Sequence, residues 1–293
     1  MLTSLLSLYI ASSLETPIDN SSAVKEASIN LSNIIESQAA PIKDPHFIEP
    51  VIEASSVIAV DMESGSILHE KNAHERRQIA SITKLMTALV ILEEEEPDDI
   101  VVISENAAST EGSSMYLRTG EEIALENLIY GMIINSANDA AIALAEHNAG
   151  NVDAFVEKMN KKALSLGLVN THFANPVGLD DPNNYSSAYD ISKLAIKVYD
   201  HKFIRHSAKM KELEVKSTDG QLVHNLTSTN QLLDSYLNIK GLKTGRTDGA
   251  GLCLSTVAEN DTENQIVTVV LNSPDRFRES KILIDWVFRA YTW

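Results

Sequence analysis

Residues 82–92 read Ile-Thr-Lys-Leu-Met-Thr-Ala-Leu-Val-Ile-Leu, with apolar side chains at 82, 85, 86, 89 and 90 and further ones filling most of the remaining surface. This spacing predicts an α-helix that is apolar nearly all round, and a helix of that kind is stable only in the middle of a protein. The rest of the chain must therefore wrap it. Pro97 predicts its end, and the acidic run at 93–96, 98 and 99 reads as a solvated helix terminus.

What wraps the helix changes character along the chain. Residues 56–61 form a β-branched run, Glu63-Ser64-Gly65 a turn, and 66–69 a second short run, together predicting a hairpin. Helical patterns then dominate from about 125 to 199, at 128–134, 140–146, 154–166 and 191–198, the last opening with Ser187 and Asp190 at capping-box spacing. Strand signals return at 212–215, paired through Thr218-Asp219-Gly220 with 221–225, and again at 252–258 and 266–271. A final amphipathic helix carries Ile282, Leu283, Trp286, Val287, Ala290 and Tyr291 on one face. Strands, helices, strands and a helix in that order predict an α+β fold: an antiparallel sheet built from both chain ends, flanked by helices, with a helical lobe over about 98–235 inserted in the middle.

Composition narrows the function. A chain of 293 residues makes about two domains or one large composite one, and 44% hydrophobic residues exclude wholesale disorder. Asp and Glu number 41 against 24 Lys and Arg, a net charge of -17, so no nucleic-acid partner is expected and anionic lipid would repel the chain. Cys253 is the single cysteine, which excludes an intramolecular disulfide and a cysteine-built zinc site and predicts a small buried side chain. Residues 1–14 are mostly apolar, too short to span a bilayer, and end among small residues. They look like part of a secretory leader, atypical because the first basic residue is Lys25, and an extracytoplasmic location is expected. Residues 15–50 read as a linker with a short helix near 29–35, and 51–293 as the folded domain.

Three short motifs carry chemistry. Ser81-Ile82-Thr83-Lys84 stands where the buried helix begins, and residues three apart on a helix share a face, so the Ser81 hydroxyl and the Lys84 amine form a candidate nucleophile and base. The spacing alone is cheap, since Ser22-Ala23-Val24-Lys25 repeats it. Ser136-Ala137-Asn138 interrupts two helices apolar enough to be buried, where polar side chains need partners. Lys243-Thr244-Gly245 precedes the 252–258 strand; a lysine, a hydroxyl and a glycine in series at a sheet edge suit a carboxylate ligand, with Gly245 admitting close backbone approach. The motifs follow one another at gaps of 55 and 107 residues.

In that order they match the pattern of serine β-lactamases and penicillin-binding proteins. The sequence resembles the low-molecular-mass penicillin-binding proteins of the D-alanyl-D-alanine carboxypeptidase family over about 55–293. Beyond the triplets, Gly112-Ser113-Ser114-Met115, Gly131-Met132-Ile133-Ile134, Ser136-Ala137-Asn138-Asp139-Ala140, Phe173-Ala174-Asn175-Pro176-Val177-Gly178-Leu179, Ala188-Tyr189-Asp190 and Gly241-Leu242-Lys243-Thr244-Gly245-Arg246-Thr247-Asp248 all look like that family's signatures. The resemblance implies a β-lactamase/transpeptidase-like fold, a peptidoglycan pentapeptide ending in D-Ala-D-Ala as substrate, β-lactam antibiotics as covalent inhibitors, and no metal or organic cofactor. It also implies that Ser81 attacks the peptide carbonyl and that water later hydrolyses the acyl-enzyme.

Such a serine needs a base. A free lysine titrates near about 10.4, so neutrality of Lys84 near pH 7 requires roughly 4 kcal/mol of discrimination against its ammonium form. Burial and a second cation, Lys243, are the expected sources. By resemblance, Ser136 bridges the two lysines and passes a proton to the departing amine, Asn138 holds the substrate backbone, and Lys243 and Thr244 bind the terminal carboxylate. The oxyanion rests on the backbone N–H groups of Ser81 and Arg246, and Arg276 is a basic contributor near the site. Some members carry an arginine before an Asn-x-Leu-Leu segment; here Asn230-Gln231-Leu232-Leu233 follows Thr229, which leaves any carboxylate contact made through that arginine without its residue. The family commonly adds a β-rich domain and a C-terminal membrane anchor, for which no room is expected after Trp293, so membrane anchoring is not evident. Three alternatives remain at this stage: a D-Ala-specific endopeptidase, a class A-like β-lactamase using Glu157 with Asn160, and a penicillin-binding sensor without turnover.

Overall fold

The computed structural model describes residues 40–293. The expectations for a leader and for a short helix near 29–35 fall outside those residues. In chain order the elements are β1 (Ile42–Lys43), β2 (Ser56–Asp61), β3 (Ile67–Lys71), a 3-10 turn at Ala80–Thr83, α1 (Lys84–Glu94), β4 (Ile100–Val102), α2 (Glu105–Ala108), β5 (Glu122–Ala124), α3 (Leu125–Ile134), α4 (Asn138–Ala149), α5 (Val152–Ser165), α6 (Ala188–Tyr199) and α7 (Lys202–Ser207). There follow β6 (Glu212–Lys216), β7 (Val223–Thr227), a second 3-10 turn at Gln231–Asp234, β8 (Asn238–Thr247), β9 (Gly251–Glu259), β10 (Gln265–Ser273), α8 (Arg276–Ala290) and β11 (Tyr291–Thr292).

Five strands form one antiparallel sheet in the order β3-β2-β10-β9-β8, so both ends of the domain contribute to it as the sequence pattern predicts. Its central strands are apolar on both sides because both sides are covered. Val57, Ala59, Leu254, Ala258, Ile266 and Val270 pack in one core with Leu283, Ile284 and Val287 of α8. Their neighbours Ile58, Val60, Cys253, Val257, Val267 and Val269 pack in the other core with α1 and α6. Helix α1 is buried from Lys84 to Ile91, as its all-round apolar sequence requires. Ser187 caps α6, its side chain accepting from the Asp190 N–H at 3.1 Å. Among the described residues no helix is long and apolar enough to cross a membrane.

Two boundaries differ from the sequence pattern. The strand after the 218–220 turn begins at Val223 rather than 221, because Ser217 closes the turn, its backbone N–H donating to the Leu222 carbonyl and its hydroxyl accepting from the Leu222 N–H. More consequentially, Lys243-Thr244-Gly245, for which the pattern predicts only a place before the 252–258 strand, lies well inside a ten-residue edge strand of its own, β8. Lys240, Gly241 and Gly245 hide that strand's alternation, and a register shift between Ile239 and Gly241 breaks it further; nine-residue pairing with β9 overrides the weak local preference.

Candidate active site

Ser81 sits in the 3-10 turn that leads into α1, and Ala80 before it holds a left-handed φ of 48°. Such a conformation costs a non-glycine residue about 1–2 kcal/mol and is kept only where packing imposes it. A loop and a strand impose it. Gly178 approaches so closely that a Cβ there would stand 2.0 Å from the Ala80 carbonyl oxygen and 2.9 Å from Ser81 N, and Gly245 of β8 would bring a Cβ within 3.1 Å of the same nitrogen. The serine backbone is thus gripped between the 173–179 segment and the sheet edge. Gly178, at a φ of 85°, also needs the freedom of glycine. Gly178→Ala is expected to lower stability by about 3 kcal/mol and covalent labelling of Ser81 by about 100-fold, read by thermal melting and by mass spectrometry.

One turn on, Lys84 begins α1 fully buried. Its Nζ lies 2.9 Å from Ser81 Oγ, 2.7 Å from Asn138 Oδ1 and 2.7 Å from the Val177 carbonyl oxygen. Asn138 Nδ2 donates to the Glu111 carbonyl at 2.6 Å, which fixes the end of the amide that faces the lysine. The Asn138 oxygen and the Val177 carbonyl can only accept. A neutral amine satisfies both with its two hydrogens and keeps its lone pair for the Ser81 hydroxyl proton, whereas an ammonium has no lone pair to offer. Burial first, and the Lys243 cation second, push the Lys84 ammonium well below the ordinary lysine range, while the Asp139 carboxylate works in the other direction.

Lys243, also buried, reaches across from β8 and donates to Ser136 Oγ at 2.9 Å and to the Thr244 carbonyl at 3.0 Å. Burial, and then the guanidinium of Arg276, bring it down to about 7. Ser136 occupies the break between α3 and α4 with a left-handed φ of 61°. Its expected bridge between the two lysines is half formed: the hydroxyl accepts from Lys243, and it is Asn138, at the first residue of α4, that holds Lys84. Both ends of the Asn138 amide are engaged inside the protein, so a substrate contact there requires one of those bonds to be exchanged.

Thr244 Oγ1 lies 2.5 Å from Thr229 Oγ1. Arg246 exposes its side chain while its backbone follows Gly245 past Ser81 N. Arg276, half-buried at the start of α8, donates from Nη1 to the Gly245 carbonyl at 2.5 Å. A trans peptide points its N–H opposite to its carbonyl, so Arg276 fixes the setting of the peptide that carries the Arg246 N–H. All nine residues singled out in the sequence therefore gather around one turn and one strand edge.

Other contributors carry no obvious sequence signal of their own. The Val177 carbonyl receives Lys84, and Thr87 on the same helix face donates to the Pro176 carbonyl at 2.7 Å. Asp139, fully buried, accepts from Ser114 Oγ at 2.6 Å and from the backbone of Met115 and Leu117, fastening the segment that supplies the Glu111 carbonyl. The signal available was the 173–179 and 112–115 signatures, which named the segments without their roles. Glu157 is exposed on α5, and Asn160 is spent on the backbone of Phe173, so that pair is not brought to Ser81. Glu95, Asp99 and His147 bring potential ligand atoms within 4.8 Å of one another, but at the opposite end of α1 from Lys84.

A sequence model described as D-alanyl-D-alanine carboxypeptidase matches residues 43–275. The chain is 36% identical over 247 residues to D-alanyl-D-alanine carboxypeptidase DacF of Bacillus subtilis, and 36% identical over 259 residues to DacA of Escherichia coli K12. These alignments cover 82% and 83% of this chain but only 63% and 62% of the relatives, so the chain spans less than two thirds of their length. The crystal structure of the Streptomyces K15 DD-transpeptidase superposes with a TM-score of 0.78 at 30% identity, covering 83% of this chain and 99% of that one.

Proposed function

The chain belongs to the D-alanyl-D-alanine carboxypeptidase family, and from that premise we propose that it is a serine-type D-Ala-D-Ala carboxypeptidase acting on peptidoglycan stem peptides and acylated by penicillins. The observation that carries the proposal is the fully buried Lys84 amine 2.9 Å from Ser81 Oγ, its ammonium pushed well below the ordinary lysine range by burial and by the Lys243 cation. Ser81 Oγ attacks the carbonyl carbon of the penultimate D-Ala as Lys84 takes its proton. The negative oxygen is held by the backbone N–H groups of Ser81 and Arg246. The C–N bond then breaks and the amine of the terminal D-Ala leaves with a proton passed through Ser136. Water adds to the resulting ester, a new carboxylic acid forms, and the Ser81 hydroxyl is restored.

Lys243 uses two hydrogens on Ser136 and the Thr244 carbonyl, and the third is free to meet the terminal carboxylate beside Thr244. Arg276 and Arg246 add positive charge at this edge of a chain whose net charge is -17, which draws an anionic chain terminus to the site. A peptidoglycan substrate places the working protein outside the cytoplasmic membrane. The exposed position of Glu157 counts against a β-lactamase that activates its deacylating water in that way.

The test is to incubate the protein separately with a penicillin and with a peptide ending in D-Ala-D-Ala, then measure covalent mass on Ser81 and free D-alanine. Lasting acylation together with D-alanine release is the expected result. Rapid penicillin turnover would make the protein a β-lactamase, and neither adduct nor D-alanine would reduce it to a binding role.

A further inference from the structure

We propose that Thr229 is a positioning residue for the substrate's terminal carboxylate, acting through the hydroxyl of Thr244. The assignment rests on the carboxypeptidase reading of Lys243 and Thr244. The two threonine hydroxyl oxygens stand 2.5 Å apart, so one of them is donating to the other. A carboxylate only accepts hydrogen bonds, and Thr244 has a single hydroxyl hydrogen. Thr244 binds the substrate terminus only when that hydrogen faces the ligand, and its oxygen must then take the hydrogen of Thr229. The relay runs Thr229 to Thr244 to carboxylate, with one direction open to it.

Thr229 is held where it can enforce that direction. It follows β7, and its backbone N–H donates to the Ile134 carbonyl at the end of α3, two residues before Ser136. The residue thereby ties the Ser136 turn to the β8 edge. The Thr244 side chain is buried at 4% exposure, which leaves water little access to replace Thr229 as its donor. The backbone carbonyl of Thr244 is already occupied by the Lys243 ammonium, so carbonyl, hydroxyl and ammonium of this dipeptide are set as one unit.

The position is also one of specificity. A charged carboxylate gains more from the enforced hydrogen direction than an ester or amide terminus, whose neutral carbonyl oxygen is the weaker acceptor.

The test measures kcat and KM for D-alanine release from an acylated D-Ala-D-Ala peptide by the full chain and by Thr229→Val and Thr229→Ser. Thr229→Val keeps the shape and removes the donor; KM is expected to rise about tenfold with kcat changed less than about twofold, and Thr229→Ser to restore KM. An unchanged KM in Thr229→Val, a fall in kcat alone, or a Thr229→Ser variant as impaired as Thr229→Val would overturn the assignment. Should Thr229→Val fail to fold by thermal melting, Thr229→Ala is read in its place against the same serine control. Absence of D-alanine release from the unsubstituted chain overturns the carboxypeptidase reading and this proposal with it, whereas normal release with an indifferent Thr229 overturns this proposal alone.

Discussion

Ser81→Ala is expected to give a folded protein that takes up no penicillin mass and releases D-alanine on the order of 10⁵-fold more slowly than the unsubstituted chain. The fold should survive because the hydroxyl makes no contact on which the turn depends. Ala80 and Ser81 are placed through their backbone, by the close approach of Gly178 and Gly245, and Lys84 keeps its bonds to Asn138 and Val177 when Oγ is removed. Thermal melting should therefore change little while intact-mass spectrometry shows the adduct lost. An adduct of unchanged stoichiometry on the alanine variant would place the nucleophile elsewhere and dissolve the site as described.

Lys84→Met is expected to lower acylation by about 10³-fold, the range for loss of a positioned general base. Methionine matches the unbranched stem of lysine and suits the buried position, so the variant should fold; Lys84→Arg should be equally inactive, since a guanidinium carries no lone pair at any working pH. Acylation at the wild-type rate in either variant would refute the base assignment.

The pH dependence follows from the same two amines. Lys84 must be neutral, so activity rises with pH through its lowered pKa; Lys243 must be charged to hold a carboxylate, so activity of the free enzyme falls as pH rises through about 7. Bound carboxylate favours the Lys243 ammonium, and the falling limb of kcat should lie at higher pH than that of kcat/KM. Stability depends on pH with the same sign as for a carboxylate whose pKa is lowered on folding, but in a higher window. Lys243 titrates lower in the folded chain than in the unfolded one, where lysine has its ordinary value of 10.5, so the unfolded state binds the extra proton between about 7 and 10.5. Folding stability gained through this group should thus increase as pH rises across that window, and Lys243→Met should lose that slope in melts taken at pH 7 and pH 9.

The residues themselves disclose much of this. The all-round apolar run after Ser81 demanded a central helix, and α1 is central; the strand signals at 252–258 and 266–271 fall in β9 and β10 of the sheet that α6 and α8 cover. Ser81 and Lys84 meet because one turn of chain makes them meet. Strand β8 was less legible, because its glycines and lysines answer to the site and to pairing with β9 rather than to strand propensity. The assignment of Ser136 as a bridge was half right for a related reason: a left-handed φ turns its hydroxyl to Lys243, and no local pattern announces a left-handed serine.

What the amino-acid sequence determined by itself is the set of reactive groups and the local frame that presents them: a hydroxyl and an amine three residues apart at the head of a buried helix, and a lysine and hydroxyl in series on a sheet edge. Tertiary structure alone decided what surrounds the Lys84 amine and pushes its ammonium well below the ordinary lysine range. Burial comes first and the Lys243 charge second, and the segments that enclose the amine, at Val177 and Asn138, and Lys243 itself arrive from 93, 54 and 159 residues away along the chain. Helix and strand periodicities extend over a few turns, whereas electrostatic and hydrogen-bond partners act over a few ångströms of space, and only folding converts the one distance into the other.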